Sequence, residues 1–323
     1  MLRRFLSWFT PAAPSPAVAP TVPEADKVTE RNERGDVESE FARLNQLKAR
    51  CQPVRNTDFL RAQCFLRLGR PLDAMEALKE ELRFFKDNRE ADVLLARLRT
   101  EHGESPSSLG NAEFQELFRN VRPFTMVGEA RLFSLFNLAT EICARDLPGN
   151  FVECGVAAGG SSALLAAVIA RHSRQPRKLF SFDTFEGMPA ATGLDTHQGQ
   201  SAEVVGWGAG TCAAPEASLR EVCGKLGVEA HVVPVKGLFS ESLPVWRDRI
   251  APIAFLHMDG DWYSSTTDIL DNLFDRVTPG GRIQIDDYGH WDGCRRAVAD
   301  FEQKRGLKFE LHQVDYSGVW LAR

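Results

Sequence analysis

The spacing of apolar positions divides the chain into stretches of different character. From about Asp36 to Thr100, Leu and Ala recur at helical intervals among Arg and Glu. Within it, Cys64-Phe-Leu-Arg-Leu-Gly-Arg-Pro-Leu-Asp-Ala-Met-Glu-Ala-Leu78 carries a helix end at Gly69 and a restart at Pro71. Glycine closes helices well and proline suits a first helical turn. Ala74 and Leu78 are then expected to pack on Phe65 and Leu68, with flanking helices around Phe41–Ala49 and Glu90–Leu98. Helices are also expected over Ala112–Asn120 and Glu129–Arg145, the second with a wide apolar face of Leu132, Phe133, Leu135, Phe136, Leu138, Ala139 and Ile142. After Asp146-Leu-Pro-Gly-Asn150, short apolar runs alternate with helical ones, the signature of a parallel-sheet α/β domain. Its strands are expected at Phe151–Cys154, Lys178–Phe182, His231–Val235, Ile253–Met258 and Arg282–Ile285.

Linker composition sets the boundaries. Pro11 to Pro23 is rich in Pro and Ala and reads as stiff and unpacked, part of an arm over residues 1–35. A helical region follows over 36–103, then a linker at Glu104–Gly110, and the α/β domain occupies 111–323. The hairpin around Gly69 resembles a tetratricopeptide-type unit at Gly69, Ala74 and Leu78. Only one such unit is clear and a plain helical bundle fits as well; either way, binding a protein partner is its expected use.

Composition narrows the function. Of 323 residues, 43% are hydrophobic and 26% charged, which excludes a disordered chain, a collagen-like repeat and a disulfide-stapled miniprotein. Lys and Arg number 39 against 44 Asp and Glu, a net charge of −5, so neither nucleic acid nor a polybasic membrane surface is the expected target. Seven scattered cysteines without a Cys-x-x-Cys pair argue against a disulfide framework and a zinc cage, and fit a reducing cytoplasm. No stretch approaches the ~20 apolar residues of a transmembrane helix. The aromatic residues of Met1–Thr10 leave open a short anchor, or association of copies into a homo-oligomer.

Chemistry gathers at the expected strand ends. The strand Phe151-Val-Glu-Cys154 runs into Gly155-Val-Ala-Ala-Gly-Gly-Ser-Ser162 and then a helix. Gly155, Gly159 and Gly160 would let a ligand approach the backbone, and the helix N-terminus at Ser161 offers free N–H groups. The turn lacks the Gly-x-Gly-x-x-Gly spacing of dinucleotide sites and the Lys of a phosphate loop. Glu153 would repel a pyrophosphate but attract an ammonium group, which suits S-adenosylmethionine. Asp183, at the end of the second strand, is placed for ribose hydroxyls. Asp259, Asp261, Asp286 and Asp287 follow later strands and converge on one sheet edge. Such crowding calls for a cation or raised pKa values, and hard oxygen ligands favour Mg²⁺, or Mn²⁺. For Asp261 the competing role is a cap on the helix beginning near Ser264.

These residues carry a resemblance to the macrocin O-methyltransferase family, spanning Phe118 to Gly306. The matching pieces are Arg122-Pro-Phe-Thr-Met-Val127, Gly149-Asn-Phe-Val-Glu-Cys-Gly-Val156, Gly159-Gly160, Asp183-Thr-Phe-Glu-Gly-Met-Pro189, Gly237-Leu-Phe-Ser-Glu-Ser-Leu-Pro244, Met258-Asp-Gly-Asp-Trp-Tyr-Ser-Ser-Thr266 and Pro279-Gly-Gly-Arg-Ile-Gln-Ile-Asp-Asp-Tyr288. The resemblance implies a Rossmann-like class I methyltransferase with a mostly parallel sheet, dependent on S-adenosylmethionine and Mg²⁺, that methylates a hydroxyl of a sugar on a natural product or polysaccharide. It implies that Glu153, Gly155, Gly159, Gly160 and Asp183 hold the cofactor, with Ser161 a further candidate at the helix N-terminus, and that Asp259, Asp286 and Asp287 hold the metal. Ala157-Ala158 departs from a bulky aromatic and a basic residue common in relatives. Ala190–Pro215 matches no motif of the family and is expected to cover the acceptor.

A hydroxyl acceptor needs a base. Asp259 is the first candidate and His290, with an imidazole pKa near neutrality, the second. His257 precedes Asp259 in an apolar strand and reads as a core residue. A metal-dependent hydrolase and a non-catalytic cofactor-binding scaffold stand as alternatives, the first leaving Glu153 and Asp183 without a joint role.

Overall fold

The computed structural model describes residues 24–48, 53–102, 110–197 and 199–323. The proximal arm at 1–23 and the linker at 103–109 lie outside the described residues. Four helices open the structure: α1 (Glu24–Lys48), α2 (Thr57–Arg67), α3 (Pro71–Phe84) and α4 (Arg89–His102). Helix α1 begins inside the stretch expected to be arm. Its first turns are Glu, Ala, Lys and Arg, good helix formers with almost no apolar stripe, so periodicity had nothing to register. The hairpin forms where the sequence places it: α2 ends at Arg67, Gly69 takes a positive φ of 72°, and Pro71 opens α3. Ala62 and Ala74 are fully buried, and these small side chains let α2 and α3 approach closely. Phe41, Leu44, Phe65, Leu78 and Leu98 complete a separate small core.

Helix α2 starts without a side-chain cap of its own. The carboxylate of Glu81, 1% exposed, substitutes from α3. It accepts from Asn56 N at 2.8 Å and from Asn88 Nδ2 at 2.9 Å, which joins both ends of the unit. Acceptors at a helix N-terminus satisfy its orphan N–H groups and complement its dipole.

The rest of the chain is a three-layer α/β domain. Helices α5 (Ala112–Val121) and α6 (Glu129–Ala144) lead into β1 (Asn150–Cys154), α7 (Gly160–His172) and β2 (Leu179–Asp183). A two-residue hairpin, β3 (Thr196–His197) and β4 (Gln200–Ser201), precedes α8 (Glu216–Leu226), β5 (Val232–Lys236), α9 (Phe239–Ile250) and β6 (Ile253–Met258). The chain ends with α10 (Tyr263–Leu273), β7 (Val277–Ile285), α11 (Asp292–Arg305), β8 (His312–Gln313) and β9 (Val319–Ala322). The main sheet runs β5-β2-β1-β6-β7-β9-β8, with β5 to β7 parallel and the last two strands antiparallel. Helix α7 is buried from Gly160 to Ile169, as its unbroken Ala/Leu/Ile run requires.

Pro279-Gly-Gly281 forms a bulge inside β7, so this strand begins at Val277, ahead of the expected Arg282. Ile253 pairs with Val277 but Phe255 pairs with Arg282, and bulges are where a sheet tolerates Pro and Gly. The strand order reverses between β1 and β6, and ligands of open α/β sheets sit outside the carboxyl ends at such a switch point. Among the described residues, no helix is long and apolar enough to cross a membrane.

The helical unit packs against this domain beside the carboxyl ends. Arg83 donates to Thr125 O at 2.8 Å and Arg122 pairs with Glu80 at 3.0 Å. A side chain at Gly206 would lie 2.7 Å from Asn45 of α1, so the two surfaces meet closely there too.

Candidate active site

Backbone hydrogen bonds carry the sheet one residue past its strands and line up the site. Gly155 N donates to Phe182 O at 2.9 Å, Asp259 N to Cys154 O at 2.8 Å, and Asp286 N to Met258 O at 2.9 Å. Gly155 has φ +96°, and a Cβ there would lie 1.8 Å from Asp259 O. Only glycine permits β1 and β6 to end so close together. The loop after it is held by Asp183. Its Oδ2 accepts from Val156 N at 2.7 Å and Ala157 N at 3.0 Å, and its Oδ1 from Phe185 N at 2.7 Å. A cavity of about 230 Å³ opens here, with Gly155, Val156, Ala157, Ser161 and Asp183 on one wall. Asp259, Asp261, Asp286, Asp287 and His290 line the same cavity.

Carboxylate oxygens of Asp259, Asp261 and Asp287 lie within 4.8 Å of one another. Burial pushes all three pKa values up, and neighbouring carboxylates add to it, Asp286 first for Asp259 and Asp287, and Asp287 first for Asp261: Asp259 and Asp261 are well above the usual carboxylate range, and Asp287 is at about 7. Asp261 sits at φ +59° and accepts from Trp291 Nε1 at 2.9 Å, while its own N–H donates to Asp287 Oδ2 at 3.0 Å. It does not cap the next helix, whose N-cap is Trp262.

Asp286 belongs to a different environment. Strand alternation turns it to the opposite face from Asp287, toward α6. There Arg131 donates to its Oδ2 and also pairs with Asp315 at 3.0 Å. Its Oδ1 lies 3.6 Å from His257 Nε2. Burial raises the Asp286 pKa, but Arg131 and His257 outweigh it and hold the group below the usual range. His257 is fully buried, and its Nδ1 lies 2.9 Å from Glu153 Oε1. Burial alone would lower its pKa, yet Asp286 and Glu153 push it up to about 9. Across the strands, Ser181, Glu153, His257 and Gln284 stand in register as one fully buried polar row.

His290 reaches the cavity from the loop after β7, its ring 4.3 Å from that of His197. His197 Nδ1 contacts His290 O at 2.7 Å. Burial lowers the His290 pKa well below its ordinary value, and the positive fields of His197, Arg70 and Arg131 lower it further. Arg70 lies at the start of α3, so the helical unit acts electrostatically on this cavity.

Comparison with known proteins decides the family. The model of the Macrocin-O-methyltransferase (TylF) family matches residues 81–323. The chain belongs to the macrocin O-methyltransferase family. Among curated relatives, a tetracenomycin 4'-O-methyltransferase of Streptomyces olivaceus, named for a dimethoxy-α-L-rhamnosyl substrate, is 37% identical over 61% of this chain and 74% of its own. The demethyldecarbamoylnovobiocin O-methyltransferase of Streptomyces niveus is 30% identical over 62% and 75%. The solved structure of the O-methyltransferase NovP is 30% identical, covers 62% of this chain and 82% of its own, and superposes with a TM-score of 0.56. The chain is therefore an S-adenosylmethionine-dependent O-methyltransferase with the Rossmann-like sheet of its class, and the hydrolase and scaffold alternatives fall away. Its helical residues before 81 lie outside the family match.

In this macrocin O-methyltransferase relative, the residues expected at the cofactor divide into two groups. Gly155, Ser161 and Asp183 line the cavity, whereas Glu153, Gly159 and Gly160 do not. Glu153 points to the face that carries α7, where it accepts from Ser162 Oγ and faces His257. Gly159 and Gly160 serve packing: a Cβ at the first would lie 2.6 Å from Leu219 Cα, and at the second 2.8 Å from Val121 O. Of the expected metal set, Asp259 and Asp287 come together, but Asp261 takes the third place and Asp286 turns to Arg131. Arg131 was not singled out from the sequence. Its signal is a charge at the head of the apolar stripe Arg131, Leu135, Leu138, Ile142. In the segment without a family motif, Trp207 and Cys212 reach the cavity wall. Buried Asp195 pins that segment by accepting from Thr192 N and Tyr263 N, each at 2.7 Å.

Proposed function

We propose that this enzyme methylates a sugar hydroxyl on a natural product or polysaccharide, with a divalent cation, Mg²⁺ or Mn²⁺, at Asp259, Asp261 and Asp287. The observation that carries this reading is one cavity lined both by the glycine turn with Asp183 and by three crowded carboxylates. An all-oxygen set of raised-pKa carboxylates suits a hard cation, which would relieve their repulsion. Asp286, already paired with Arg131, reads as a support for the cluster rather than a ligand of it. The name of the relative from Streptomyces olivaceus, with its rhamnosyl group, supports an acceptor of the glycosylated natural-product class.

The bound cation would lower the pKa of a coordinated hydroxyl, and S-adenosylmethionine would supply the methyl group for in-line displacement. Gly155 to Ala157, Ser161 and Asp183 would hold the donor, with Asp183 already stiffening the loop through three backbone N–H groups. Asp259 takes the hydroxyl proton in this reading, as a carboxylate that lines the cavity beside the proposed cation. His290 is the weaker candidate, since its lowered pKa leaves it neutral but reluctant to accept a proton. The buried thiols Cys64, Cys143, Cys154, Cys223 and Cys294 support a reducing compartment such as the cytoplasm.

Methyl transfer from labelled S-adenosylmethionine to a panel of glycosides, with Mg²⁺ or with chelator, tests the proposal. Transfer that needs the cation supports it. Undiminished transfer in chelator, or by Asp287→Asn, removes the metal from the reading.

A further inference from the structure

A second cavity, of about 300 Å³, lies between the helical unit and the methyltransferase domain. One wall comes from residues ahead of the family match, among them Lys48, Val54, Asp58 and Glu80. The opposite wall is Phe124, Met126, Ala158 and Ala214. Thr125, Met126, Ala157, Trp207 and Cys212 line both this cavity and the candidate active site, so the two spaces adjoin.

Its lining has a definite chemistry. Val54, Phe84 and Met126 are 50%, 44% and 46% exposed, three large apolar side chains gathered on one cavity. Clustered apolar exposure of this kind marks a surface that something covers. The charged residues beside them are already paired: Lys48 lies 2.7 Å from Asp58 and 3.4 Å from Glu80, and Arg83 lies 3.1 Å from Glu80. Paired charges recruit no ion, yet they leave hydrogen-bonding edges for a neutral ligand. The occupant that fits is neutral, has an apolar body, and extends from a molecule seated in the adjoining site.

We infer that the interdomain cavity receives the apolar aglycone of the acceptor, so that the helical unit reads what the methylated sugar is attached to. This inference rests on the sugar O-methyltransferase reading above. It assigns the helical residues a role in substrate choice for this chain, with Phe84 and Val54 gripping the aglycone and Ala158 leaving space for it.

The test uses the full chain, Mg²⁺ and S-adenosylmethionine with two probes, methyl α-L-rhamnoside and 4-nitrophenyl α-L-rhamnoside. The aryl glycoside is expected to show a KM about tenfold lower, the worth of one partly buried ring, with little change in kcat. In the double variant Phe84→Ser with Val54→Ser, and independently in the cavity-filling variant Ala158→Phe, that ratio is expected to fall to about one. Calorimetric binding of S-adenosylmethionine, measured alongside, reports that each variant is folded. Equal KM values in the unaltered protein, or a ratio that survives in both variants, overturn the inference and leave the cavity to a second copy or to the chain's own N-terminal segment. If S-adenosylmethionine binds but neither rhamnoside is methylated, while a non-sugar hydroxyl is, the sugar reading itself fails and the aglycone assignment fails with it.

Discussion

Two acidic sites stand apart in this protein, one buried in the helical unit and one lining the cavity, and they are built on opposite principles. In the helical unit every buried carboxylate has its partners. Glu81 accepts from Asn56 N and Asn88 Nδ2, and Asp58 pairs with Lys48 at 2.7 Å and with Arg61. Burial raises the Asp58 pKa, but Arg61 and Lys48 more than offset it and hold the group below its ordinary value. At the sheet edge, Asp259, Asp261 and Asp287 face one another, and their pKa values rise. The first arrangement stabilises the fold, whereas the second costs stability until a cation or a proton relieves it. Crowded like charges at a switch point thus mark function more clearly than acidity alone.

The sharpest way to break this contrast is to neutralise one member of the crowded set. Asp259→Asn is expected to lower kcat by about 10²–10⁴-fold, the usual worth of a positioned acid or base. The same variant should melt no lower than the unaltered protein in chelator at pH 8, because a repelled charge is gone. Steady-state kinetics and thermal melts on one preparation check both halves.

Next comes pH dependence without metal. The folded-state pKa of Asp287, about 7, lies above the ordinary value of 3.8. The group therefore costs stability as pH rises from about 4 toward 7, and that cost is fully present above 7. In chelator the melting temperature is expected to fall over that interval. Mg²⁺ should raise it more at pH 8 than at pH 6, by the equivalent of about 2.7 kcal/mol at a hundredfold excess over Kd. An equal shift at both pH values would break the assignment.

In the helical unit the expected sign reverses. Glu81→Ala removes a satisfied carboxylate and strands its donors, and is expected to cost about 2 kcal/mol in urea melts. Asp58→Asn should cost at least as much, about 3 kcal/mol, because it leaves Lys48 and Arg61 without their charged partner in a buried pair. Because the Asp58 pKa is depressed, its contribution is present above about pH 4 and is lost as pH falls through the folded value. The difference between Asp58→Asn and unaltered protein should therefore vanish in acid melts.

Much of the fold was legible beforehand because element type follows a local period. The five parallel strands and the Gly69–Pro71 hairpin lie where alternation and turn chemistry place them. The upstream half of α1 was not, because a helix of Glu, Arg and Lys has no apolar stripe to detect. The short antiparallel strands β8 and β9 escaped for another reason: two to four residues are too few for a period. In the site, Asp183, Asp259 and Asp287 were legible as acids ending strands. The environment of Glu153 was not, since an acid one residue before a glycine turn looks accessible until α7 covers it.

The order of residues along the chain was enough to determine an α/β methyltransferase scaffold, a helical hairpin ahead of it, and a set of acids at the strand ends. Which acids meet was left to tertiary structure. Asp261 and Asp286 look interchangeable in sequence, yet backbone conformation turns one into the cluster and strand alternation turns the other to Arg131. Arg131 lies 155 residues away along the chain. Likewise, only the folded chain brings Val54 and Phe84 to the same cavity as Ala158. Local periodicity sets what an element is, but burial and distant neighbours set what each of its side chains can do.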